Sequence, residues 1–155
     1  MTAASRIWRV GQVIVLKTEA VTTEQLVRYA GASDDYSRIH YDKPFAEAAG
    51  LGGIIAHGML TMAFMGRIAS DAAGPGGLVR SLTARFVAPV RPGDAVRVEG
   101  KVLDVTDEGG TQLVRLDLAA RVRGRPVAVG EAEVRVPHDL AASGLVADEG
   151  LPARP

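Results

Sequence analysis

One stretch limits the possible folds more than any other. From Ala56 to Ser70 the chain reads Ala-His-Gly-Met-Leu-Thr-Met-Ala-Phe-Met-Gly-Arg-Ile-Ala-Ser. Wound as a helix it is apolar nearly all round, so it is expected to be central and buried rather than to lie on a surface. A turn-rich connector, Asp71 to Gly77, follows, and the hydrophobic period then changes from helical to alternating. Leu82, Ala84 and Phe86 alternate with Thr83, Arg85 and Val87. Val96, Val98 and Val102 share a face opposite Arg97, Glu99 and Lys101. Leu116, Leu118, Ala120 and Val122 alternate with Arg115, Asp117, Ala119 and Arg121. Ala128, Ala132, Val134 and Val136 make a fourth segment. Turns are expected at Pro92-Gly93-Asp94, Glu108-Gly109-Gly110 and Gly124-Arg125-Pro126. These are half-buried strands with short connections, the pattern of an antiparallel sheet. A sheet with one apolar face and a helix apolar all round bury each other when the sheet wraps the helix, which is an α+β fold.

The first half supplies smaller elements. Val13 to Leu16 suits a short strand. Thr22 and Gln25 match a capping box, opening a helix through Leu26, Val27 and Tyr29 that Gly31 is expected to end. Asp42 can cap a brief helix through Ala49, closed by Gly50. The first ten residues read as loosely held, and residues 138–155 lose periodicity and read as a flexible tail, leaving one domain over 1–137.

Composition removes whole classes of function. Lys+Arg and Asp+Glu both number 18, so no basic excess points to nucleic acid or a membrane surface. The chain has no cysteine, which excludes disulfides, thiolate metal sites and Cys nucleophiles and suits a reducing cytoplasm. No apolar run reaches the length of a membrane span, and no signal core follows the N-terminus. Neither a metal-ligand cluster nor a Gly-rich nucleotide fingerprint is visible, so no cofactor is expected.

Two segments carry candidate chemistry. Ala32-Ser33-Asp34-Asp35-Tyr36-Ser37-Arg38-Ile39-His40-Tyr41-Asp42 sets acids and a histidine in an irregular loop, where they could equally cap helices and meet solvent. Gly53-Ile54-Ile55-Ala56-His57-Gly58-Met59-Leu60 is a helix start whose glycine could serve close packing alone. Together, and with "IHYDKPFAEAAGLGGIIAHGMLTMAFMGR" and "RFVAPVRPGD", they resemble the (R)-specific enoyl-CoA hydratases of the MaoC-like dehydratase family, from about Val27 to Val136. That family pattern has an Asp, an Asn-Pro, a His five residues after the Asp, and then an Ile-x-His-Gly-Met helix start. Asp35 and His40 have that spacing.

The resemblance implies a hotdog fold, with the sheet wrapped around the helix. It also implies a lyase that interconverts 2-enoyl and (R)-3-hydroxyacyl thioesters, on coenzyme A or an acyl carrier protein. In that reading Asp35 and His40 hold the water, and the backbone N–H of Gly58 receives the thioester oxygen. A free N–H at a helix start is a ready anion site, and glycine admits a ligand without a Cβ in the way. Ser37 and His57 are candidate substrate contacts, with a structural hydrogen bond the other reading for His57. Arg38, Arg80 and Arg85 are candidates for the coenzyme's phosphates, or solvated arginines. Met59, Met62, Phe64 and Met65 read as core, with an acyl tunnel as the alternative.

The departures are local. Asp34 stands where the family commonly has Gly, Ser37 where it has Asn, and Arg38 where it has Pro. A hotdog thioesterase and a non-catalytic subunit of a heteromer are the rival readings. Hotdog relatives pair sheet edges into one continuous sheet, so a homodimer is expected.

Overall fold

The computed structural model describes residues 7–138. β1 (Val13–Ala20) leads through Thr22 into α1 (Thr23–Ser33), a 3₁₀ turn over Arg38–His40, and α2 (Lys43–Ala48). α3 (Gly58–Ala73) follows, and then β2 (Leu78–Phe86), β3 (Ala95–Glu108), β4 (Thr111–Val122) and β5 (Arg125–Pro137). The five strands form one antiparallel sheet in the order β1-β3-β4-β5-β2. This is the α+β hotdog architecture expected from the sequence. No described helix is long and apolar enough to cross a membrane.

The alternation becomes a core directly. Val98 and Val102 of β3, Val114, Leu116 and Leu118 of β4 and Ala128 and Val134 of β5 are fully buried on the face that meets α3. From the helix, Leu60, Met65, Ile68, Ala69 and Ala72 answer them, and α3 touches all five strands. Gly100 lies in the buried row of β3, where a Cβ would come within 2.9 Å of Ile68 Cγ2 and 3.1 Å of Leu118 Cδ2. The helix therefore seats against bare backbone at that point.

Several boundaries differ from the sequence reading. β1 continues past Leu16 to Ala20 because the polar residues Lys17–Glu19 sit on an edge strand and need no apolar partner. α1 passes through Gly31 and stops at Asp34, which takes the left-handed conformation (φ 55°, ψ 26°). Glycine permits such a stop but does not force one. The last turn is centred on Arg123-Gly124, both at positive φ, so β5 begins at Arg125.

α3 is not buried all round: Met59 is 55 % exposed, Met62 and Phe64 are half-buried, and only Met65 of that cluster is core. A five-stranded sheet covers one side of a helix and leaves the other to whatever lies beyond its edge. Nor is the whole N-terminus loose. Trp8 is buried, donates Nε1–H to the carbonyl of Ala72 at 2.9 Å, and exchanges hydrogen bonds with the Gln112 side chain. At the other end, His138 N–H reaches the carbonyl of Gly110 at 2.9 Å; the rest of the proposed tail lies outside the described residues.

Gly100→Ala is expected to destabilise the fold by about 1–3 kcal/mol, because the branched Ile68 side chain beside it has little room to yield. Thermal unfolding checks this: a melting temperature equal to wild type would mean the close helix–sheet contact is not a constraint.

Candidate active site

The site is assembled from two loops and one helix end. Asp34 ends α1 in the left-handed region, the conformation that suits glycine best and that aspartate tolerates. The next residue, Asp35, leaves the helix. Its Oδ1 accepts the backbone N–H of Ser37 at 3.2 Å, which turns the carboxylate back over the loop. The 3₁₀ turn then delivers His40. The two adjacent acids thus do different things, and it is Asp35 whose Oδ2 lies 3.9 Å from His40 Nε2.

His40 is buried, and its Nδ1 lies 2.8 Å from the carbonyl oxygen of Ile55. A carbonyl only accepts, so Nδ1 carries the hydrogen and Nε2 of the neutral ring presents its lone pair toward Asp35. The segment that supplies this carbonyl is itself stitched down. Ile55 N–H donates to Ile39 at 3.1 Å and Ala56 N–H to Val90 at 2.7 Å. Arg91 braces the preceding turn by donating to the carbonyls of Leu51 and Gly53.

His57 stands behind the pair. It is 1 % exposed, stacks on His40 with ring centroids 3.7 Å apart and 25° between planes, and meets Tyr29 at 5.0 Å. Its Nε2–H donates to the backbone carbonyl of Asp35 at 3.1 Å, and Nδ1 is buried with no hydrogen-bond partner among the described residues. Of the two readings for His57, the geometry realises the structural hydrogen bond. The ring lies between Tyr29 and His40.

Gly58 opens α3. Its N–H, like the other first donors of a helix, has no intrahelical acceptor, and none appears among the described residues. A Cβ there would meet the Phe86 ring at 3.3–3.4 Å, so close packing by this glycine is real. His40 and Gly58 line one cleft of about 440 Å³ with Ile55, Thr61, Phe86 and Pro89. His40 also borders an apolar hollow of about 260 Å³ between α1 and Tyr36 and Tyr41.

The departures from the family pattern have visible consequences. Ser37 contributes its backbone N–H to Asp35, while its hydroxyl makes no hydrogen bond among the described residues. Arg38 donates to Asp42 Oδ2 from Nε (3.1 Å) and from a terminal nitrogen (2.7 Å), and its guanidinium lies 4.3 Å from the Phe45 ring centroid. Asp42 also caps α2 by accepting from Phe45 N–H at 3.1 Å. The Arg38 hydrogen bonds, then the Phe45 N–H, hold the Asp42 carboxyl below its ordinary value. The clamp is therefore complete above the usual carboxylate range and opens only as pH falls into acid. Arg80 pairs with Glu133 at 3.3 Å.

Asp35, His40 and His57 each offer a ligand atom, all within 4.8 Å of one another. One nitrogen of each ring, however, is already bound to a carbonyl, and the His57 ring is buried behind His40. The trio suits a water molecule better than a tetrahedral ion. Sequence reasoning missed the carbonyl of Ile55 and the Phe86 ring. The carbonyl belongs to the backbone, and Phe86 reads in the sequence as one more alternating strand residue.

Known proteins share this arrangement of elements. The chain is 34 % identical over 137 residues to a 3-hydroxybutyryl-CoA dehydratase of Methylorubrum extorquens, covering 88 % of this chain and 85 % of that one. To an (R)-specific enoyl-CoA hydratase of Rhodospirillum rubrum it is 30 % identical over 120 residues, with 77 % and 82 % covered. An unliganded R-hydratase from Pseudomonas aeruginosa superposes with a TM-score of 0.75 at 31 % identity, covering 85 % of this chain and 84 % of that one. The model of the MaoC like domain matches residues 7–122, from before β1 to the end of β4, and the chain belongs to that family.

Proposed function

We propose that the protein hydrates trans-2-enoyl thioesters to (R)-3-hydroxyacyl thioesters and catalyses the reverse dehydration, with coenzyme A as carrier. The observation that carries this reading is the pair of acceptors 3.9 Å apart, Asp35 Oδ2 and His40 Nε2, of which His40 lines the cleft that also holds Gly58. That gap is too long for a direct hydrogen bond and short enough for one water to donate to both. Water so held turns its lone pair toward the substrate. As its oxygen bonds to C3, one proton passes to the acceptor pair, and the electrons of the double bond move onto the thioester oxygen. The Gly58 N–H faces that charge. The pair then returns the proton to C2, so the net addition is one water.

Asp35→Asn and His40→Ala are each expected to lower turnover of crotonyl-CoA by roughly 10²–10⁴-fold, the scale of a positioned acid or base. Asp34→Asn should cost far less, since that residue only ends α1. Loss of the enoyl chromophore without release of free thiol, and an (R) product on chiral analysis, would support the reading. Thiol release would replace it with a thioesterase.

Arg38 supports the loop rather than the chemistry. It is the first residue of the 3₁₀ turn and its N–H makes no hydrogen bond among the described residues, while Ser37 before it is extended (ψ 128°). Proline fits such a position. Arg38→Pro should therefore keep kcat within about tenfold of wild type, whereas Arg38→Ala, with neither ring nor ion pair, should fall further. Equal losses in the two variants would show that loop stiffness is not what Arg38 supplies.

A homodimer through the β2 edge completes the proposal. β2 is paired only on its β5 side, and Phe86, Leu78 and Met59 are exposed beside it. A second copy would cover this edge and the open side of α3. Sedimentation at micromolar concentration should give a dimer; a monomer alone would contradict it.

A further inference from the structure

We infer that Arg123 and Arg125, at the β4–β5 turn, bind the phosphates of the coenzyme A carrier, an inference that rests on the proposed thioester chemistry. The cleft that holds His40 and Gly58 shares Ala88 and Pro89 with a second cleft of about 510 Å³. That second cleft is lined by Arg91, Asp94, Arg123, Arg125 and the apolar residues Val122 and Val127. The two clefts therefore adjoin at Ala88 and Pro89, with arginines lining the second.

The strand ladder sets its length. Phe86, whose ring packs on Gly58, pairs with Ala128. Arg125 is three residues back along β5, roughly 10 Å at the rise of a strand. The pantetheine arm of coenzyme A has about as many bonds as four residues of extended chain, roughly 14 Å. An arm whose thioester sits at Gly58 thus ends within reach of a guanidinium at the turn.

The charges around the second cleft are not all engaged. Arg91 is taken up by the carbonyls of Leu51 and Gly53, and Arg121 donates to the carbonyl of Gly124. Arg123 lies 3.5 Å from Asp94, which also accepts from Arg91 N–H, and is 84 % exposed. The guanidinium of Arg125 has no partner among the described residues. Guanidinium forks match phosphate oxygens in pairs. Arg38 and Arg80, two of the candidates from sequence, are committed to Asp42 and Glu133 instead.

The backbone adds a second, independent observation. Arg123 occupies the left-handed region (φ 49°) at the first position of a two-residue hairpin turn, followed by Gly124 at φ 80°. Asparagine or glycine suits that position and arginine does not. Strained positions of this kind concentrate at ligand clamps.

Calorimetric titration of the full chain with coenzyme A, 3′-dephospho-coenzyme A and pantetheine tests the inference without relying on turnover. Wild type should bind coenzyme A at least about tenfold more tightly than pantetheine, the scale of one charge-assisted hydrogen bond. In the Arg123→Asn/Arg125→Gln double variant that advantage should disappear, while Arg28→Gln on α1, a charge control, should bind as wild type does. Arg123→Asn alone should melt no lower than wild type, so a loss of affinity in it cannot be a loss of fold. The inference is overturned if wild type prefers coenzyme A no more than pantetheine, or if the double variant binds coenzyme A as tightly as wild type. It is overturned equally if the double variant is impaired only toward an acyl carrier protein substrate. Coenzyme A bound through these arginines with no hydration of any enoyl thioester would instead reject the proposed function and leave the binding site standing.

Discussion

Because α3 seats on the concave face of the sheet against all five strands, with Gly100 letting Ile68 in to bare backbone, its first residue is held at a fixed point. That fixed point is what the site is built around. His57 and Gly58 begin the helix, Phe86 at the end of β2 packs on Gly58, and the Ile55 carbonyl just upstream fixes the His40 ring. The buried contact at Ile68, ten residues along α3 from Gly58, belongs to the packing that seats the helix. Substitutions in that contact would alter the site without touching any residue in it, which is the ordinary consequence of a close-packed interior that transmits strain.

The fold was legible because its two periods are long and clean. A helix apolar on nearly every face and a run of alternating strands leave few ways to bury both. The site was legible in part. The five-residue spacing of the family pattern paired Asp35 with His40 and preferred it to Asp34; what spacing could not show is the conformational difference between the two acids. Asp34 is the residue that turns left-handed to end α1, so it takes the position where glycine is common, and the following carboxylate is the one presented to His40. The expected stop at Gly31 failed for the same reason, since residue type permits a left-handed turn without placing it. Backbone partners such as the Ile55 carbonyl leave no trace in side-chain pattern at all. Trp8 is similar: a lone aromatic near the N-terminus has no period, and its burial depends on Ala72 and Gln112, 64 and 104 residues away.

The loop from Asp35 to His40 illustrates two solutions to one problem. A carboxylate and an imidazole five residues apart keep a fixed separation only if the loop between them is stiff. In the family pattern a proline ring restricts the backbone. Here Arg38 spans the 3₁₀ turn to Asp42 and lies over Phe45, so the restraint is a side-chain clamp. An exposed ion pair is weak on its own. This one is two-pronged, and its acid also caps α2, so three weak terms act on one short segment. His57 adds a restraint from behind by holding the Asp35 carbonyl while its ring supports His40.

The single chain leaves two surfaces that its own sheet cannot finish, and they differ in kind. Along β2 and the open side of α3 the exposed groups are apolar, with Met59, Leu78 and Phe86 beside an unpaired strand edge. Such a surface is satisfied by protein. At the β4–β5 turn the exposed groups are guanidinium ions around a groove, one of them held at a backbone angle that costs stability. Burying that turn against a protein would leave several like charges to desolvate, whereas a phosphate ligand could neutralise them while remaining partly in water. The cleft with His40 and Gly58 adjoins both: Phe86 lines it on the side of the apolar edge, and Ala88 and Pro89 connect it to the arginine groove. A thioester has the same division, an apolar acyl chain at one end and a charged carrier at the other, with the reacting carbonyl between them.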